Sequence, residues 1–209
     1  MSLILMLVVG YLLGSLNFSI IFTKIFAKTD VREHGSGNAG FTNTIRTAGK
    51  KVGILVFVCD ALKAVAAILI AMAAAKWMPL DSLAVYGKYA AALGVVLGHN
   101  FPLYYGFRGG KGIVVSISII FMLNWITGCF TFGMFLIVFL ATGIVSLSSL
   151  VGATTVVVTT VVMYVFGWAG VDSVQLVLTI VMAVLAFYMH RANIKRLLDG
   201  TESSFKKKK

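Results

Sequence analysis

Long apolar runs alternate with short polar breaks along the whole chain. Runs at about 3–26, 52–75, 83–104, 113–126, 129–146, 150–167 and 174–189 each read as a membrane-spanning helix. Most are long enough to cross a hydrocarbon core of about 30 Å, and no comparably long polar region remains for a second domain. The expected fold is therefore all-α and integral to a membrane: a seven-transmembrane-helix bundle over residues 1–209, with 198–209 as a basic cytoplasmic tail. The fourth and fifth helices are short, so they read as a hairpin in a thin region or as segments buried among longer helices.

Composition strengthens the membrane reading: 59% of the 209 residues are hydrophobic, 12% are charged, and the mean hydropathy is +0.97. The first run resembles a secretory signal in position, but no Ala-x-Ala-like site follows it and further apolar runs do, so it reads as a retained span. Cys59 and Cys129, both inside apolar runs, suggest small packing residues and neither a disulfide framework nor a metal site. No cofactor is expected.

The charge distribution sets an expected orientation. Lys24, Lys28, Arg32, Arg46, Lys50, Lys51, Arg108, Lys111, Arg191, Lys195, Arg196 and Lys206 to Lys209 fall on one side, against Lys76 and Lys88 on the other. The rich side is expected in the cytoplasm; with seven spans the N-terminus lies outside and the C-terminus inside. The net charge of +11 then reflects basic cytoplasmic loops and a tail suited to anionic membrane lipids. Nucleic acid is not an expected partner, because no basic surface interleaved with aromatic residues is present.

The polar breaks on the basic side carry the candidate chemistry. In DVREHGSGNAGFTNTIR, Gly35, Gly37 and Gly40 spell the dinucleotide fingerprint, yet no strand precedes them and polar FTNTIR follows, so a dinucleotide fold is excluded. The glycines still permit positive φ and converging N–H groups, an arrangement suited to phosphate. Ser36, Asn38, Thr42 and Asn43 add short hydrogen-bonding side chains, and Arg46 adds a planar cation. A plain cytoplasmic turn remains the other reading.

A second break, GHNFPLYYGFRGGKG, falls on the same side. Gly109, Gly110, Lys111 and Gly112 again join backbone donors to a point charge, although Tyr105 and Gly112 depart from the Walker A pattern and ATP is not indicated. His99 reads as a helix-terminal histidine bonded to backbone. Phe101, Tyr104, Tyr105 and Phe107 read as an interfacial aromatic belt or as lining for an acyl chain. Ser148 and Ser149 of SLSSLVG are expected to cap the following helix. His190 and Asn193 of HRANIKRLLDGTE would share a helical face, with His190 the titrating candidate at the membrane edge. Inside the second run, Asp60 and Lys63 stand three apart and can pair, as a structural salt bridge or as a substrate contact.

These four ordered blocks, GSLNFSI…DVREHGSGNAGFTNTIR, GHNFPLYYGFRGGKG, SLSSL and HRANIKRLLDGTE, resemble the acyl-phosphate-dependent glycerol-3-phosphate acyltransferases of bacteria, the PlsY family, over nearly the whole chain. The resemblance implies transfer of a fatty acyl group from acyl phosphate to the 1-hydroxyl of sn-glycerol 3-phosphate. The products would be lysophosphatidic acid and phosphate, and neither acyl-CoA nor acyl carrier protein would be required. It also implies a bacterial inner-membrane enzyme with its site facing the cytoplasm. Carried over by position, catalytic roles fall on Ser36, Arg46, Lys111, His190 and Asn193. Substrate or phosphate contacts fall on Gly35, Gly37, Asn38, Thr42, Asn43, Gly109, Gly110, Gly112, Ser148, Ser149 and Glu202. The chain departs from the family pattern at Asn17, commonly proline, at Phe41, commonly alanine, at Ala64, commonly glycine, and at Val115 or Ser116, where threonine is common.

Overall fold

The computed structural model describes residues 1–77 and 84–206; Lys207 to Lys209 of the expected tail lie outside the described residues. The chain divides into two compact units, Met1–Ile119 and Ile120–Lys209. All regular structure among the described residues is helical.

The first unit is built on α1 (Ser2–Gly14), α2 (Phe18–Phe26), α3 (Phe41–Trp77) and α4 (Gly87–Asn100). A close pairing of α1 with α4 organises it. Gly10 and Gly14 on one helix and Gly94 and Gly98 on the other are each spaced four apart, so each pair lies on one helical face. A Cβ at any of the four would collide with the opposing backbone; at Gly94, for example, with the Leu7 carbonyl oxygen. Apolar side chains gain little from associating in lipid, whereas small residues let two backbones touch and gain dispersion along their whole length.

The expected 3–26 run is broken. Helix α1 ends at Gly14, and α2 begins at Phe18 with Asn17 as its cap, the Asn17 Oδ1 accepting from the Ile20 N–H at 3.2 Å. The second run also differs from expectation: helix starts at Phe41, so Thr42, Asn43 and Arg46 sit on helical turns and not in a loop. Gly49, at φ 86 and ψ 171, breaks α3 between this short segment and the long apolar one. The short segment folds back, with Phe41 against Phe57 at 5.4 Å between ring centroids and Ile45 against Gly53.

Helix α5 (Ile113–Leu123) contains the division at Ile119 and is about 16 Å long at 1.5 Å per residue, short of a bilayer core. It stops before the expected 126 because Asn124 caps the next helix, its Oδ1 accepting from the Thr127 N–H at 2.9 Å. The second unit continues with α6 (Trp125–Thr142), α7 (Val145–Val165), α8 (Ser173–Met189) and α9 (Arg191–Leu198). Helix α7 packs against both α6 and α8. The amphipathic α9 turns 59° from α8 at His190.

Among the described residues, Ser2–Phe26, Phe41–Trp77, Trp125–Thr142 and Val145–Val165 are long and apolar enough to cross a membrane, and the bent α8–α9 pair makes a possible fifth span. The distribution of side chains is inside-out relative to a water-soluble protein. Leu62, Leu69, Ile137 and Leu140 face outward, while Asp60, Lys63, Thr160 and Thr179 are buried. That pattern suits a hydrocarbon solvent, where ionisable groups turn inward and pair.

Candidate active site

Two polar constellations stand out, one in each unit. In the first, the segment from Asp30 to Gly40 is shaped by side chains that bind its backbone. Asn43, almost fully buried, donates through Nδ2 to the Val31 and His34 carbonyls, both at 2.9 Å, and accepts the Ser36 N–H on Oδ1 at 3.0 Å. Its amide therefore moulds the loop, and Thr42 lies beside it on the first turn of α3. Gly35 and Gly37 adopt φ +56 and +70, the left-handed conformation that glycine permits without a Cβ penalty. Ser36 stands exposed between them, with Asn38 partly buried and Arg46 exposed one helical turn beyond Thr42.

The second glycine segment is tied to the first by a residue that charge counting treats only as a topology signal. Arg32 donates through Nη1 to the Tyr105 carbonyl at 2.8 Å and to the Arg108 carbonyl at 3.3 Å. Asp30 grips the other side of the same guanidinium, with Oδ1 3.0 Å from Nε and Oδ2 2.8 Å from Nη2. Hydrogen bonds from Arg32 hold the Asp30 carboxyl down at about 2, against the opposing effect of burial. Tyr105 packs on a small core of Ile20, Val31 and Ala39, so it fastens one loop to the other. Tyr104 and Phe107 are exposed.

Gly109 and Gly110 return their N–H groups to the Asn100 and His99 carbonyls at 3.2 and 3.0 Å. Gly110 is buried where the loops meet: a Cβ there would strike both His99 Nε2 and the Ala39 carbonyl oxygen. Gly112, at φ +75, lies over the Asn100 side chain, and Lys111 between them is partly buried. The first unit thus brings Gly35 to Asn43 and Gly109 to Gly112 into one cluster. Asn17, where the family commonly has proline, adds a link that proline could not make, its Nδ2 donating to the Ala39 carbonyl at 3.3 Å.

His99 differs from expectation. It is buried and meets side chains, with Nδ1 3.1 Å from Lys63 Nζ and 3.6 Å from Asp60 Oδ1. The Asp60–Lys63 pair forms as its spacing predicts, at 2.8 Å.

In the second unit one carboxylate gathers three donors. Ser146 Oγ and Asn193 Nδ2 donate to Glu202 Oε1 at 2.9 and 2.7 Å, and Arg196 Nε donates to Oε2 at 2.7 Å. Burial pushes the Glu202 carboxyl up, but these donors outweigh it and the pKa lies below the ordinary value. Ser146, the first serine of SLSSLVG, is the one that matters here. Ser148 and Ser149 do not cap α7: the helix starts at Val145, so they fall in its second turn, and their hydroxyls donate to the Ile144 and Val145 carbonyls at 2.8 Å. His190 is buried at the α8–α9 bend with Nδ1 2.7 Å from the Ala186 carbonyl. A carbonyl can only accept, so Nδ1 carries the proton and Nε2 is the acceptor of the neutral ring.

The fold and these loops define a multi-pass membrane protein in which two glycine-rich segments meet beside basic residues. The chain belongs to the glycerol-3-phosphate acyltransferase family, whose model matches residues 4–200, and it is of the PlsY type. Its relatives named glycerol-3-phosphate acyltransferase include one from Clostridioides difficile (strain 630), 39% identical over 100% of this chain and 98% of the relative. Another, from Rhodopseudomonas palustris (strain HaA2), is 40% identical over 97% of this chain and 95% of the relative. Among solved structures, the glycerol 3-phosphate form of PlsY (YgiH), an integral membrane glycerol 3-phosphate acyltransferase, superposes with a TM-score of 0.85 at 36% identity, covering 99% of this chain and 96% of that one. The lysophosphatidic acid form of PlsY gives 0.82 at 35% identity over the same shares. The protein is thus an acyltransferase acting on glycerol 3-phosphate, with a place in phospholipid biosynthesis that follows from the family.

Proposed function

We propose that the acyl donor is acyl phosphate and that the products are lysophosphatidic acid and inorganic phosphate, with no need for acyl-CoA or acyl carrier protein. The observation that carries this reading is the clustering of two glycine segments in the first unit. A reaction whose donor and acceptor both bear phosphate needs two sets of anion-binding donors. The family's solved structures in glycerol 3-phosphate and lysophosphatidic acid forms support the same acceptor and product.

Acyl phosphate is a mixed anhydride with a good leaving group, so positioning and charge stabilisation supply most of the acceleration and no enzymic nucleophile is required. The 1-hydroxyl of glycerol 3-phosphate attacks the acyl carbon; the new ester C–O bond forms as the bond to the phosphate oxygen breaks. The hydroxyl proton passes to the departing phosphate or to His190 Nε2. Lys111 stabilises the developing oxyanion, with Gly109 and Gly110 holding its loop in place through their bonds to the Asn100 and His99 carbonyls, and Ser36 and Arg46 hold the acceptor. The Ala186 carbonyl keeps His190 oriented, and Asn193, fixed by Glu202, is a further catalytic group on the same short helix. The proposal has seven crossings, N-terminus outside and C-terminus in the cytoplasm, with α5 and α6 as the short fourth and fifth spans and the site open to the cytoplasm of a bacterial inner membrane.

Purified protein in detergent, given acyl phosphate and glycerol 3-phosphate, should release phosphate and form lysophosphatidic acid without a sealed compartment. Lysophosphatidic acid formed with acyl-CoA in place of acyl phosphate would sink the donor assignment. His190→Gln separates the two proton acceptors. A loss of about 10⁴-fold in kcat identifies His190 as the base, and a loss nearer tenfold leaves the phosphate as acceptor.

A further inference from the structure

Lys63 lies in the long apolar part of α3, where a charge is costly. Its ammonium is the meeting point of three chain segments. Nζ lies 2.8 Å from Asp60 Oδ1, 3.0 Å from the Gly14 carbonyl, 2.7 Å from the Leu16 carbonyl and 3.1 Å from His99 Nδ1. The two carbonyls belong to the α1–α2 break, where helical partners are lost and an unpaired carbonyl in hydrocarbon would be expensive.

His99 carries the arrangement onward. Its backbone carbonyl accepts from Gly110, its Nε2 occupies the space a Cβ on Gly110 would need, and the next residue's carbonyl accepts from Gly109. The same loop is held at its base by α1. Tyr11 donates through its hydroxyl to the Phe101 carbonyl at 2.8 Å, and Ser15 Oγ accepts from the Leu103 N–H at 3.2 Å. Ser15 itself sits in the α1–α2 break that Lys63 closes. The hub therefore controls both ends of the support beneath the second glycine segment.

We propose that Asp60, Lys63 and His99 are positioning residues for glycerol 3-phosphate binding: the buried hub sets the geometry of Gly109 to Gly112 from inside the membrane, without touching substrate. The inference rests on the reading of that segment as a phosphate-binding loop. It explains why a costly buried ion pair sits here: the pair gives the loop a defined foundation more than it gives the fold stability.

The test is equilibrium binding of sn-glycerol 3-phosphate to the detergent-purified full chain, together with the melting temperature without ligand. His99→Leu fills the site but removes the acceptor, and should weaken binding by about tenfold to hundredfold with little change in melting temperature. His99→Asn, whose amide oxygen can replace Nδ1 as acceptor for Lys63, should recover most of the affinity. A neutral double variant, Asp60→Asn with Lys63→Gln, whose amide N–H groups can still donate to the carbonyls of the α1–α2 break, should fold and bind as weakly as His99→Leu. Binding within twofold of the unmodified protein in both His99→Leu and the double variant overturns the proposal, as does equal weakening in His99→Asn and His99→Leu. Unmodified protein that fails to bind glycerol 3-phosphate overturns it as well. Protein that binds glycerol 3-phosphate yet releases no phosphate from acyl phosphate overturns the donor assignment alone.

Discussion

In the first unit, side chains serve backbone: Asn43, Arg32 and Lys63 each donate to two carbonyls, and the glycine segments they shape keep polar side chains such as Ser36 and Arg46 exposed. In the second unit, side chains serve each other, with Ser146, Asn193 and Arg196 converging on Glu202. The contrast fits two tasks. Holding glycine loops in left-handed conformations demands that side chains bind the chain itself, whereas fixing the α7–α9 contact demands that a few side chains be locked on one carboxylate. The two units should therefore fail differently when perturbed.

The largest effect is expected where backbones touch. Gly94→Leu drives a side chain into the α1 backbone and should leave little folded protein, a loss of more than about 4 kcal/mol. Gly133→Leu on α6, where nothing lies within 4 Å of the added atom, should purify normally. Equal yields of the two monodisperse proteins would remove the α1–α4 contact as an organising feature.

Next in size is Glu202→Ala, which strands three donors at once and should cost about 2–3 kcal/mol, read as a lowered melting temperature in detergent. Glu202→Gln, still able to accept, should lose about half as much. Arg32→Met should be milder in stability, at about 1 kcal/mol, because its guanidinium is partly exposed. Its clearer signature is functional: a severalfold rise in KM for glycerol 3-phosphate with kcat less affected, since it joins the two glycine segments.

The smallest effect is in acid. Both Glu202 and Asp30 have folded-state pKa values below their ordinary values of 4.5 and 3.8. Each therefore contributes stability that is full above the ordinary value and is lost as pH falls through the folded one. Asp30 holds its charge down to about 2. Acidification should thus reduce the melting temperature of the unmodified protein while narrowing its difference from Glu202→Gln. A gap between the two that stays constant from pH 6 to pH 3 would contradict the assignment of Glu202 as a charged acceptor.

Much of this was legible in sequence because the signals are local. Apolar length marks a membrane protein, three-residue spacing pairs Asp60 with Lys63, and glycine spacing at Gly35 and Gly37 marks a left-handed turn. Errors came where local patterns compete with distant partners. Continuous hydrophobicity concealed the break between Gly14 and Phe18, polar FTNTIR concealed a helical segment, and the serines judged to be caps proved to bond back to their own helix.

The sequence by itself determined the solvent this chain folds in, its helical character and the segments that bear the chemistry, because periodicity, length and charge act over a few residues. Only the tertiary structure decided which carbonyls Lys63 satisfies, that Arg32 crosses to Tyr105, and that Ser146 and not its neighbours meets Glu202. Those partners lie 47 to 73 residues apart along the chain. Their meeting depends on how whole helices pack, which glycine contacts such as those between α1 and α4 fix and residue spacing does not encode.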